Sequence, residues 1–116
     1  MADLGKPQNT IAVLQKYNFN FQKKFGQNFL VDMRVLDKII TAAEITETDF
    51  VLEIGPGIGT MTQYLCEHAR EVVAVEIDRN LIPILADTLG GYQNVEVLHD
   101  DILKVDIGRL AQERNQ

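Results

Sequence analysis

Apolar and polar positions follow two different rhythms along this chain. In "PQNTIAVLQKYN", residues 7–18, Ile11, Leu14 and Tyr17 recur about once per helical turn and Asn18 breaks the run, which predicts a short helix. In "MRVLDKIITAAE" the residues Val35, Leu36, Ile39, Ile40 and Ala43 share one stripe, with Asp32 as the N-cap and "TETD" as the stop. Between these helices "YNFNFQKKFGQNFL" alternates aromatic with polar residues and reads as an extended arm. From Phe50 onward short β-branched runs alternate with helical stretches. "FVLEI" is a first strand, "EVVAVEID" a second over about 71–76, and "NVEVLHD" a third. "TMTQYLCEHA" is a helix opened by Thr60. "RNLIPILADTL" is another, with Asp78 as its cap. Pro83 there forbids one backbone bond, so this helix kinks or begins late. "GGYQ" makes a turn, and "DILKVD" leads away from the third strand.

Strands this apolar, separated by helices, predict a parallel sheet covered on both faces. Right-handed crossovers then set the strand order 3-2-1. Three strands are half of a doubly wound sheet, with the first strand at an open edge. The expectation is therefore a fragment of a longer protein, or an edge that a partner or a second copy covers. No internal repeat or low-complexity segment is present.

Composition changes this picture only in places. The 116 residues are 46% hydrophobic, as expected of one ordinary domain. No stretch approaches the roughly 18 consecutive apolar residues of a membrane span. The opening "MADLGKPQNT" lacks the layout of a signal peptide. A lone cysteine, Cys66, excludes a disulfide framework and suits a reducing cytoplasm. His68 and His99 have no neighbours at metal-ligand spacing, so no metal site is expected. The net charge of −6 speaks against nucleic acid when averaged, but it is unevenly spread. The first 38 residues hold six basic and three acidic side chains, the rest five and fourteen. A basic, aromatic arm precedes an acidic body.

The candidate chemistry lies in "FVLEIGPGIGTMT". Glycines are needed where a strand turns sharply into a helix and a ligand approaches the backbone. A phosphate-binding P-loop would carry Gly-Lys-Ser/Thr; "GIGTMT" has no lysine. The dinucleotide fingerprint fits imperfectly, because its third glycine is Gly59 where position 60 is expected. Glu76 ends the second strand 21 residues after Gly55, where an acid accepts hydrogen bonds from both hydroxyls of a ribose. Asp100 and Asp101 end the third, where an acid accepts from an adenine amino group. Glu53 stands two residues before the first glycine, a place where a carboxylate repels pyrophosphate and attracts a cation. Each acid alone has a plainer reading as a solvated or satisfied strand end. Together, at three successive strand ends, they point to an adenosine ligand that bears positive charge and no phosphate, which describes S-adenosylmethionine.

"KKFGQNFLVD", "LEIGPGIGTMT", "VVAVEIDRNL" and "VEVLHDDIL" in this order resemble the ribosomal RNA adenine N6-dimethyltransferases. The resemblance is strongest to the bacterial members that modify two adjacent adenines near the 3′ end of small-subunit rRNA, and it runs from Tyr17 to Asp106. It implies the first half of a Rossmann-like class I S-adenosylmethionine-dependent methyltransferase fold. Residues 1–31 would be an N-terminal helix and arm, and 32–116 the first part of the methyltransferase domain. It implies cofactor contacts at Asn28, Leu30 and Gly55, with Glu76 on the ribose and Asp101 on the adenine amino group. Gln27, Glu53, Gly57, Ile77 and Ile102 would line the same pocket. Asn28 and Leu30 carry no signal of their own and rest on the resemblance alone. It also implies a cytoplasmic role in ribosome biogenesis, with small-subunit rRNA or the immature 30S subunit as partner.

The family chemistry is in-line methyl transfer to an exocyclic amine whose lone pair is delocalised, so a flipped-out base has to be stacked and hydrogen-bonded in place. The Asn-Leu-Pro-Tyr type motif that grips the adenine in this family does not occur in the chain, so no catalytic residue is expected here. The helical C-terminal domain that the resemblance implies is expected to lie outside these 116 residues. Lys23 and Lys24 either contact phosphates or are merely solvated. Two other readings stand beside this one: an NAD-binding dehydrogenase domain, and a non-catalytic RNA-binding module for ribosome assembly.

Overall fold

A computed structural model describes residues 3–17 and 33–114. In chain order the elements are α1 (Pro7–Lys16), α2 (Met33–Ala43), β1 (Phe50–Ile54), α3 (Thr60–His68), β2 (Glu71–Glu76), α4 (Ile82–Thr88), β3 (Val95–His99), a 3₁₀ turn (Ile102–Lys104) and α5 (Ile107–Glu113). The three strands form one parallel sheet with β2 in the centre. That is the expected 3-2-1 order. The proposed arm and the Asp32 cap fall in 18–32, outside the described residues.

The register sorts each strand's side chains onto two faces. Leu52 pairs with Val73 and Val51 with Val72, while Val72 and Ala74 pair with Val95 and Val97. Because alternate residues point to opposite faces, Val51, Glu53, Val72, Ala74, Glu76, Val95 and Val97 share one side. Their apolar members pack there against α3 and α4: one cluster centres on Leu65, Cys66, Ala69 and Val72, the other on Ile58, Ile84, Leu85 and Leu89. Tyr92 and Val95 touch both clusters, so the core on this face is continuous. Leu4, Val13, Leu14 and Tyr17 bring α1 into the second cluster. Asp87 of α4 then holds the end of α1 by accepting from Lys16 Nζ at 2.6 Å and Tyr17 Oη at 2.5 Å.

Several local expectations change in three dimensions. In α1 the buried line is Thr10, Val13, Leu14 and Tyr17, and Ile11 faces outward. The Thr10 hydroxyl donates to the Leu4 carbonyl at 3.0 Å, which lets a polar residue take the inner position. In α2 Leu36 and Ile40 are buried, while Val35 and Ile39 stay 48% and 37% exposed. This helix packs on α3, and one neighbouring helix covers only part of so wide a stripe. It ends with Glu44 at φ 53°, where the Glu44 N–H bonds Thr41 O and the Ile45 N–H bonds Ile40 O, a Schellman cap built without glycine.

The helix around Pro83 begins late, at Ile82, where the missing N–H lies in the first turn and costs no intrahelical bond. Asp78 does not cap it. Its carboxylate instead accepts from the Asn80 N–H at 2.9 Å and closes the turn before the helix. The final segment, for which no element was expected, forms α5, capped by Asp106 accepting from the Arg109 N–H at 2.9 Å. β1 lies at one edge of the sheet, and Ile54 at its end is 61% exposed.

Candidate cofactor site at the carboxyl edge of the sheet

Parallel strands all end on the same side, so the segments after β1, β2 and β3 meet along one edge. The glycine loop there is tied to the neighbouring strand: the Gly55 N–H donates to Val75 O at 2.9 Å. The Gly57 N–H donates to Glu76 Oε1 at 3.2 Å. Gly55 and Gly59 both sit at positive φ, 69° and 98°, yet they do different work. A Cβ on Gly59 would stand 2.9 Å from Thr88 Oγ1, so this glycine lets the loop pack against α4. A Cβ on Gly55 would meet nothing within 4 Å. Gly55 therefore borders open space, where a ligand can approach the backbone.

Glu76 is only 4% exposed. Its carboxylate accepts from two backbone donors, Gly57 N–H and, at 2.9 Å, Asp78 N–H. Each oxygen retains a further lone pair, which is the capacity a ribose diol needs. Asp101 is partly buried and caps the 3₁₀ turn through Oδ1, which accepts from the Leu103 N–H at 2.9 Å. The turn is drawn to the sheet by the Asp100 N–H donating to Glu76 O at 3.1 Å. Glu76 and Asp101 are thus on neighbouring strand ends, as expected.

Glu53 points to the same face as Glu76 and is withdrawn from water. Burial pushes its carboxyl up to about 7; the hydrogen bond it accepts from the Thr62 hydroxyl opposes this, and the nearby Glu76 adds to it. Thr62 is fully buried on the first turn of α3. Sequence reasoning did not mark it, although a hydroxyl nine residues after an acid in a strand-loop-helix unit is a legible signal. Thr60 was read only as the start of the helix. Its hydroxyl is buried with no partner among the described residues. Of the other expected lining residues, Gly57 and Ile102 are partly buried and Ile77 is half exposed. Gln27, Asn28 and Leu30 lie outside the described residues.

These features were tested against an adenosine cation. Open space at Gly55, an unpartnered hydroxyl at Thr60, a fixed acid at Glu76 and the absence of lysine or arginine from the loop all fit one. A pyrophosphate beside Glu53 does not fit. Among the described residues no group of three or more His, Cys, Asp or Glu side chains is arranged to hold a metal ion, and no helix is long and apolar enough to cross a membrane.

Comparison with known proteins bears on the same elements. Residues 18–116 match the family described as ribosomal RNA adenine dimethylase. The ribosomal RNA small subunit methyltransferase A of Lachnoclostridium phytofermentans is 69% identical over 116 residues, covering 99% of this chain and 40% of that protein. The chain thus spans about two fifths of the length of that relative. Among solved structures, a dimethyladenosine transferase from Plasmodium falciparum superposes with a TM-score of 0.59 at 39% identity, over 64% of this chain and 28% of that one. An RNA methyltransferase from Salinibacter ruber, in complex with S-adenosyl-L-homocysteine, superposes with a TM-score of 0.60 at 25% identity, over 66% and 53%. The three parallel strands and their flanking helices are part of the Rossmann-like methyltransferase fold. With the glycine loop, the ribose-type acid and the matched span in agreement, the dehydrogenase reading falls away, and the chain belongs to the ribosomal RNA adenine dimethylase family.

Proposed function

We propose that this chain forms the S-adenosylmethionine-binding part of an enzyme that dimethylates the N6 amines of two adjacent adenines near the 3′ end of small-subunit rRNA, in the cytoplasm, during ribosome biogenesis. The observation that carries the reading is the bond from the Gly57 N–H to Glu76, which joins the glycine loop and the ribose-type acid into one frame beside the open space at Gly55.

When bound, the cofactor supplies a methyl group activated on a sulfonium. The chain's own part is binding and orientation. Gly55 admits the ligand to the backbone, Glu76 accepts from the ribose hydroxyls, and Asp101 accepts from the adenine amino group through the lone pairs that its turn leaves over. Asn28 and Leu30 contact the cofactor and Gln27 adjoins it, as in the family, with Gly57, Ile77 and Ile102 along the walls of the pocket. Glu53 faces the cationic end. None of these residues grips a target adenine, so the chain alone binds cofactor and leaves RNA unmethylated. The macromolecular partner of the whole protein is the immature 30S subunit, approached by the basic arm with Lys23 and Lys24. The open edge of β1 is the surface through which isolated copies of this chain would associate; a monomer in sedimentation at high concentration would refute that.

Calorimetric titration with S-adenosylmethionine, with NAD as control, tests the reading. Saturable binding of the first alone is expected. Binding of NAD would overturn it, and binding of neither would remove the cofactor site from this chain. Methyl transfer by this chain to a 3′ fragment of small-subunit rRNA would refute the proposed inactivity.

A further inference from the structure

Two carboxylates stand close together at the carboxyl edge, and their surroundings are unequal. Glu53 and Glu76 end adjacent strands on the same face of the sheet, where Glu53 pairs with Ala74, two residues before Glu76. Two like charges withdrawn from water do not both ionise without cost, and the one with fewer donors keeps its proton. Glu76 accepts from two backbone N–H donors. Glu53 has one neutral hydroxyl donor, Thr62, and no cation pairs with it among the described residues.

Among the described residues the titratable groups facing Glu53 are Glu76 on β2 and Cys66 on α3, and neither supplies a positive charge; burial pushes the Cys66 thiol up to about 12, so it stays neutral. His99 on β3 pairs with Glu76, one strand further away, and is exposed. The donor Thr62 is itself rigidly placed. Its neighbour Gln63 accepts from the Leu4 N–H at 2.9 Å and donates to Thr88 O at 3.0 Å, while Thr88 Oγ1 donates to Ile58 O at 2.7 Å. The first turn of α3 therefore cannot follow Glu53 if its charge changes.

We infer that Glu53, held by Thr62, takes up the cationic end of the ligand by exchanging a proton for it, so that filling this site releases a proton. The inference rests on the cofactor reading above and adds its regulation by pH. Without ligand the repulsion between the buried Glu76 and the partly buried Glu53 is relieved by a proton on Glu53. The ammonium and sulfonium of S-adenosylmethionine, offset by its own carboxylate, bring a net charge of +1 that replaces this one proton. The proton leaves to solvent, and no covalent bond to the ligand forms. Thr62 is a positioning residue here: its hydroxyl keeps the Glu53 carboxyl turned toward α3, and by bonding the anion it eases loss of the proton.

The sign follows from the folded-state value of about 7 for Glu53. Below it the proton has to be displaced and affinity falls; above it the carboxylate is ready. Affinity for S-adenosylmethionine is expected to drop about tenfold between pH 7.5 and pH 6. At pH 7 about half a proton per ligand is released, read as the dependence of binding enthalpy on the buffer's own ionisation enthalpy. Glu53→Gln flattens the pH profile and abolishes the buffer dependence. Thr62→Val moves the midpoint to higher pH, and Thr62→Ser restores it, a shift that a merely structural role for Thr62 would not produce.

The experiment is calorimetry on these variants, with carboxyl carbon NMR of Glu53 in the free chain as a ligand-independent arm. Titration of Glu53 near pH 7 that collapses when S-adenosylmethionine is added supports the exchange. An ordinary value near 4.3 for free Glu53, or ligand binding without pH dependence and without proton release, overturns the exchange and leaves the cofactor reading standing. Glu53 titrating near 7 with no S-adenosylmethionine bound at any pH overturns both.

Discussion

The Gly57 N–H and the Glu76 carboxylate hold each other in place: Oε1 accepts from the loop while Oε2 accepts from the Asp78 N–H. The acid proposed to hold the ribose is thus also the peg on which the glycine loop hangs. Glu76→Gln keeps the size but leaves one acceptor oxygen for two N–H donors, with an amide NH₂ opposed to the other. Loss of a charged acceptor of this kind corresponds to about a ten- to hundredfold drop in affinity. Calorimetry with S-adenosylmethionine checks the affinity. Amide exchange at Gly57 and Asp78 should quicken in parallel, and unchanged exchange would separate the loop from the acid.

Gly59 and Gly55 should respond differently to alanine. Both are at positive φ, so each variant carries backbone strain of about 1 kcal/mol or more. Gly59→Ala in addition drives a methyl into Thr88 Oγ1, which is held by its bond to Ile58 O and cannot withdraw freely. Denaturant unfolding should place Gly59→Ala about 2 kcal/mol or more below wild type and Gly55→Ala nearer to it. Ligand affinity should show the reverse order, because the Gly55 methyl points into the open space.

Arg114 fastens α5 to the face of the sheet opposite α3 and α4. Its Nε donates to Glu71 at 2.8 Å, an Nη donates to Glu96 at 3.1 Å, and the guanidinium lies 5.1 Å from the centre of the Phe50 ring. Glu71, Phe50 and Glu96 come from three strands and share that face by register. Arg114→Ala should cost about 1 kcal/mol in urea unfolding, since it leaves the partly buried Glu71 unpaired and removes a cation from the Phe50 ring. Arg114→Lys should recover only part, because one ammonium cannot fork to two carboxylates and stack on a ring as well.

Glu53 should make stability depend on pH even without ligand. Its folded value of about 7 exceeds the ordinary carboxyl value of 4.5, so the folded state holds the proton more tightly. The stabilisation is fully present below the ordinary value and is lost as pH rises through 7. Glu53→Gln, which mimics the protonated form, should match wild type at pH 4 and be more stable at pH 8, by roughly 1–3 kcal/mol. Thermal unfolding across that range measures it; parallel curves for the two proteins would refute it.

The local pattern alone determined the order of elements from α1 to β3, the parallel 3-2-1 sheet and the loop proposed to meet a ligand. Those features depend on periodicity over a few residues and on turn chemistry, which "FVLEIGPGIGTMT" and the acid at Glu76 carry in themselves. It also showed that Pro83 would disturb its helix, and the late start at Ile82 follows. Only the tertiary structure decided what each residue bears against. Val35 and Ile39 look like core residues in the helical stripe and remain exposed, because α2 has one neighbouring helix to cover it. Asp78 looks like a helix cap and closes a turn instead, since the proline moved the helix away from it. Thr62 shows its spacing from Glu53 in the linear pattern but not the bond between them, and Gly59 reads as one more loop glycine until α4 packs against it. Their roles arise from contacts between segments far apart in sequence, and local spacing holds no record of which segments those will be.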